Sequence, residues 1–179
     1  VEVYGNTATS NGGGICAIDG SFIDQTDVVV SDNHSESSFG GGFFIEESTV
    51  EQEDVIVLAN SAYQDGGGMY VSEGTMTMLG VEVSGNTSIT SQGGGLYFYG
   101  STIVQSQGSV DNNLAKTAGG GIYLGLYSVM DQKGVEIYQN IADEWKGGGM
   151  FVSSAADLIM QQGKVYENIS NSQDGGGIY

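Results

Sequence analysis

Acidic side chains are the main chemical resource of this chain: 22 of them stand against 4 lysines, with no arginine, for a formal charge of -18. Carboxylates close together, as at Asp24 and Asp27 or Glu46 and Glu47, are the groups that hold calcium or move protons in polysaccharide cleavage. The column Asp24, Gln52, Met78, Gln105, Asp131 and Met160, expected to end its strands facing outward, places its two acids four repeats apart. At ~4.8 Å per repeat that is about 19 Å, against the about 5–9.5 Å that paired carboxylates need. No catalytic residue is assigned. His34 lies in a polar turn with no second histidine or thiol beside it in sequence, so no metal ligand set forms around it. The sequence leaves room only for weak calcium association, and otherwise for no cofactor. Cys16 is the single cysteine, which excludes a disulfide within the chain.

These residues are positioned by a repeat. A glycine triplet returns seven times, starting at Gly12, Gly40, Gly66, Gly93, Gly119, Gly147 and Gly175, at steps of 28, 26, 27, 26, 28 and 28 residues. Ahead of each triplet an aliphatic residue precedes an asparagine by three positions, giving the column Asn6, Asn33, Asn60, Asn86, Asn113, Asn140 and Asn168. Two columns in one period mean a single supersecondary unit copied along a line. Each unit holds three short apolar segments with a period of two and no helical spacing, which predicts an all-β, right-handed parallel β-helix (solenoid) of about 27 residues and three short strands per rung. Residues 1–179 then form one continuous array.

After each triplet the first and third residues are apolar and predicted to point inward, as Phe43 and Ile45 do. The last strand adds the column Phe22, Val50, Met76, Ile103, Val129 and Leu158. Glycine serves the corner by reaching positive φ, and asparagine amides stacked along the axis satisfy polar groups at a bend. A phosphate cradle would need lysine and serine or threonine after the glycines; here Ile, Phe, Met or Leu follows. Between the two inward residues lies an outward position, held by Phe44, Tyr70, Tyr97, Tyr123, Phe151 and Tyr179, with Cys16 at its start. Stacked on successive rungs these predict an aromatic stripe, which either stabilises the sheet or meets a glycan or a neighbouring rod. Three glycosylation sequons begin at Asn33, Asn86 and Asn168. All three use the ladder asparagine, so they are expected to be unmodified.

The aliphatic-x-x-Asn column followed by Gly-Gly-Gly-Ile/Met/Leu-Tyr resembles the paired Phe-x-x-Asn and Gly-Gly-Ala-Ile repeats of the polymorphic outer membrane protein family and related β-helical surface proteins. Val or Ile stands here for the phenylalanine, and a third glycine for the alanine. The resemblance implies a β-helix displayed outside a cell, in adhesion or surface architecture.

The acidity excludes nucleic acid as a partner, and no apolar run approaches the ~18 residues of a membrane span. Residues 1–90 carry 14 acids and no base (-14); residues 91–179 carry 8 acids and 4 lysines (-4). Val1 opens on a repeat strand and Tyr179 stops just past a triplet. The segment is therefore expected to belong to a longer array or to a filament subunit. The function expected is non-catalytic: an extracellular or cell-surface structural protein, a β-helical adhesin stalk or filament component. Its expected partners are itself, head to tail or laterally, and glycans. The alternative is a carbohydrate-binding or polysaccharide-cleaving β-helix.

Overall fold

The computed structural model describes residues 1–179, and every strand in it pairs in parallel with the equivalent strand one rung away. The rung around Asn60 shows the plan: strands Ile56–Leu58, Ser61–Ala62, Met69–Ser72 and Thr75–Leu79 follow one another around four sides. Their counterparts form two seven-stranded and two six-stranded sheets, called first to fourth here in that chain order. The result is a parallel β-solenoid without a helix. The fourth strand per rung, beyond the three expected, is the two-residue segment directly after each ladder asparagine; it is too short to show a period of two in sequence.

Corners explain both the composition and the uneven step. Nearly every side ends in a left-handed residue: glycine at the triplet, and elsewhere glycine, the acids Asp19, Asp27, Asp32, Glu47, Asp54, Glu73 and Glu167, or one of Ala59, Gln107, Asn112, Tyr127, Gln139 and Gln162. Seven of the acids are thus corner residues whose side chains stay solvated, and aspartate tolerates this backbone region better than most side chains. The corner between the third and fourth sheets carries one extra residue in the rungs of Ile15, Ile122 and Met150, and the loop ahead of the triplet varies by one residue as well. The 28-residue steps are those that combine both insertions. Loops absorb them without disturbing the strands.

That extra corner residue corrects two inward assignments. Val50 pairs with Ile23, and Ile103 with Met130. Phe22 and Val129 fall one position out of register and point outward, 62% and 40% exposed. A one-residue slip moves a side chain to the other face of a strand. A second correction concerns the column through Gln52: it faces inward, its in-register members are Gln25, Gln52, Met78, Gln105, Gln132 and Met160, and Gln52, Met78, Gln105 and Gln132 are buried. Asp24 and Asp131 do point outward, one position away.

The remaining inward columns form one core cluster of 24 buried residues, from Ala17 to Met150, in which Val30, Val57, Val83, Val110 and Ile137 make one row. Each rung is only one layer thick, so its apolar face is covered by the rungs on either side. The second and third triplet glycines explain themselves sterically. A Cβ on Gly67 would lie 2.4 Å from the carbonyl oxygen of Gly94, and one on Gly68 3.0 Å from the Asn86 side chain.

Candidate interaction surface

The strand after the triplet alternates inward and outward, so its middle residue projects from the third sheet at the same point of every rung. Phe44, Tyr70, Tyr97, Tyr123, Phe151 and Tyr179 are thereby brought together in one column, and Cys16 pairs with Phe44 at its start. Successive ring centroids are 5.3, 5.0, 5.0, 4.9 and 5.5 Å apart, and the central planes tilt by only 3–7°. Two further rings close over the column: Phe39 stacks on Tyr70 at 4.7 Å and Trp145 on Phe151 at 5.5 Å. Both come from the loop ahead of a triplet, in rungs where that loop has its extra residue. Sequence periodicity could not place them, because they occur only where the period is broken.

This packing decides what the stripe offers. Each interior ring spends both faces on its neighbours, and Phe44 and Phe151 are buried. What remains outward is a row of ring edges and the phenol groups of Tyr70, Tyr97 and Tyr123. Burial pushes the Tyr97 hydroxyl well above the ordinary tyrosine range, with the Asp65 carboxylate adding to it. Tyr70 and Tyr123 shift the same way, again chiefly through burial. Each stacked pair contributes about 0.5–1.5 kcal/mol beyond the area it buries.

On the opposite side of the triplet corner the seven asparagines form an unbroken ladder. The Asn60 amide donates to Asn86 Oδ1 at 3.1 Å and to the Val30 carbonyl at 2.9 Å, while its backbone N–H donates to the same Asn86 Oδ1 at 2.9 Å. Its own Oδ1 accepts from the backbone and side chain of Asn33, both at 3.0 Å. The pattern repeats from Asn6 through Asn113 and Asn140 to Asn168. The amide's donors and acceptor are all used, as buried polar groups require.

The other chemical groups stay dispersed. No group of three or more His, Cys, Asp or Glu side chains is gathered so as to hold a metal ion. Asp24 neighbours Glu51 on the outer face of the fourth sheet, beside a shallow hollow of about 180 Å³. The Glu46–Glu47 pair splits, since Glu47 takes the left-handed corner position. His34 Nδ1 lies 2.8 Å from Ser61 Oγ and 3.2 Å from the Ser61 carbonyl oxygen. Cys16 is exposed, and its thiol is shifted upward by partial burial and by Glu46. Lys116 bridges Asp143 at 2.8 Å and Glu144 at 2.9 Å. No helix is long and apolar enough to cross a membrane.

Residues 1–18 match the family model of the Chlamydia polymorphic membrane protein (Chlamydia_PMP) repeat. The matched stretch holds the first ladder asparagine and the first triplet, and the same two columns recur through every later rung. The chain is thus a parallel β-helix repeat protein whose repeats are like those of polymorphic membrane proteins. No curated protein and no solved structure is matched by the chain.

Proposed function

We propose that this chain is a rigid segment of a cell-surface protein, a β-helical stalk that carries an adhesive function outward and performs no chemistry of its own. The observation that carries this reading is the continuity of its two axial columns. An asparagine ladder runs unbroken from Asn6 to Asn168 and a ring stack without a gap from Phe44 to Tyr179, and both resist bending because each interior member is fixed by the rungs on either side. The match of residues 1–18 to a polymorphic membrane protein repeat supports a surface location. The carbohydrate alternative would require ring faces open to sugars, and the interior rings use theirs on one another.

The test is display. Antibodies raised against residues 1–179 should label intact, unpermeabilised cells of the source organism, and protease treatment of those cells should remove the label. Purified segment should reduce attachment of the same cells to host surfaces. Labelling only after permeabilisation would overturn the surface reading; labelling without any effect on attachment would overturn the adhesive one.

A further inference from the structure

The corner between the fourth and first sheets changes character along the rod. Its left-handed residue is Asp27, Asp54, Gly80, Gln107, Gly134 and Gln162 in successive rungs. The strand residue just before it is Thr26, Glu53, Leu79, Ser106, Lys133 and Gln161, in register. Carboxylates in these two columns therefore stop after the second rung. Further along, Ser106, Gln107, Lys133, Gly134 and Gln162 surround a hollow of about 390 Å³, within the about 300–1,000 Å³ of small-ligand sites. Three of the four lysines are paired with carboxylates: Lys116 with Asp143 and Glu144, Lys146 with Asp174, and Lys164 with Glu136. Lys133, in the wall of this hollow, is paired with none. Of the acids that flank it in sequence, Glu136 is spent on Lys164 and Tyr166, and Asp131, two positions back on the same strand, makes no ion pair with it.

Gly134 opens the recess. A Cβ built on it meets nothing within 4 Å, so packing does not demand its lack of a side chain. The left-handed backbone favours glycine, but the rungs on either side place Gln107 and Gln162 in the same conformation. Glutamine is an uncommon choice there, because Asp, Asn and Gly tolerate positive φ best. The outcome is a one-rung gap between two neutral carboxamides, with an ammonium beside it, at a corner that carries acids in the first two rungs.

We propose that this hollow binds a terminal sugar acid, a pyranose that carries one carboxylate. Lys133 is the only lysine free of a carboxylate, and a carboxylate is the group that an ammonium fixes by charge-assisted hydrogen bonds. Gln107, Gln162 and Ser106 offer donors and acceptors together, which is what sugar hydroxyls need. No aromatic ring lines the hollow, so a neutral sugar, which depends on a ring face for stacking, has no comparable hold. One free cation on a chain of charge -18 selects a single acid over sulfated or phosphorylated chains, which the remaining carboxylates repel. An open site of this kind binds weakly, and rods held side by side gain by avidity. That last step rests on the cell-surface reading above; the binding itself does not.

Nuclear magnetic resonance titration of the isotope-labelled chain tests it. Sialyllactose at millimolar concentration should move the backbone amide signals of Gln107, Gly134 and Gln162 saturably, and lactose, the same glycan without its acid, should bind more weakly by about tenfold. Lys133→Gln should weaken sialyllactose binding by about tenfold, and Lys133→Arg should keep most of it. Gly134→Asp, which copies the corner of the Asp27 and Asp54 rungs, should abolish binding while the amide signals of the asparagine ladder stay in place. Equal binding of lactose, indifference to Lys133→Gln, shifts confined to other rungs, tighter binding of heparin than of sialyllactose, or no saturable shift at millimolar sugar would each overturn the proposal. None of these outcomes alters the result of the surface-labelling experiment, so the two readings fail separately.

Discussion

Replacing Met78 by glutamine should make the protein more stable, although the site is completely buried. Met78 interrupts an interior column of amides. On one side Gln52 Nε2 donates to Gln25 Oε1 at 2.9 Å; on the other Gln132 Nε2 donates to Gln105 Oε1 at 2.7 Å. Facing the methionine, Gln52 Oε1 and Gln105 Nε2 have no partner. A glutamine at 78, in register with both, would donate to the first and accept from the second, in the direction the two existing pairs already share. Reversing the amides changes nothing, because an apolar member strands one amide end on each side of itself. Two relieved orphans are worth about 2–6 kcal/mol at about 1–3 each. The lost apolar transfer of a buried methionine takes back about 1.5–3 kcal/mol, and the side-chain entropies of the two residues are similar. Taken at the middle of both ranges, the net gain expected is about 2 kcal/mol, or a few degrees in melting temperature for a chain of this size. Urea denaturation followed by far-ultraviolet circular dichroism measures it, with Met78→Leu as the volume control, expected within about 1.5 kcal/mol of wild type. Met78→Gln less stable than Met78→Leu would refute the column argument.

Two further substitutions read the other axial features. Asp65 is held above the ordinary carboxylate range by burial, although hydrogen bonds from Ser91 and from the Gln92 backbone oppose the shift. A raised folded-state value means that the native protein binds this proton more tightly than the unfolded chain, so stability is lost as pH rises from the ordinary carboxylate range through the folded value. Asp65→Asn should therefore stabilise at pH 7 and be neutral near pH 3, by denaturation at the two pH values; the same acceptor oxygen is supplied by Asn11, which takes the Phe39 N–H at 3.3 Å. Asn86→Ala should cost at least about 3 kcal/mol, since it strands the backbone and side-chain donors of Asn60. For the same reason, material secreted from a glycosylating host should carry no glycan at Asn33, Asn86 or Asn168, and an occupied Asn86 in the mass spectrum of folded protein would contradict the ladder.

The period was legible because each repeated residue has a separate structural reason to be there. The asparagine cannot be replaced without stranding its neighbour, the first triplet glycine needs its positive φ, and the second and third lie against the next rung's backbone and its amide. The aromatic column was legible for the same reason. Illegible were the places where the chain departs from its period. One extra residue ahead of the fourth strand moved Phe22 and Val129 to the outer face and brought Gln25 and Gln132 inside. The loops that supply Phe39 and Trp145 likewise vary from rung to rung. Periodicity assigns faces only as far as the count of residues between columns is constant.

The candidate surfaces divide along that line. Features that repeat along the rod, the amide ladder and the ring stack from Phe44 onward, are bonded mainly to copies of themselves one rung away, and this consumes the groups that a ligand would need. Features that occur in only a few rungs differ in kind: Lys116 bridges Asp143 of the next rung, but the Leu114–Ile141–Ile169 strip keeps apolar surface exposed beside it. In a solenoid, regular columns build the rod and irregular patches are free to specify a partner.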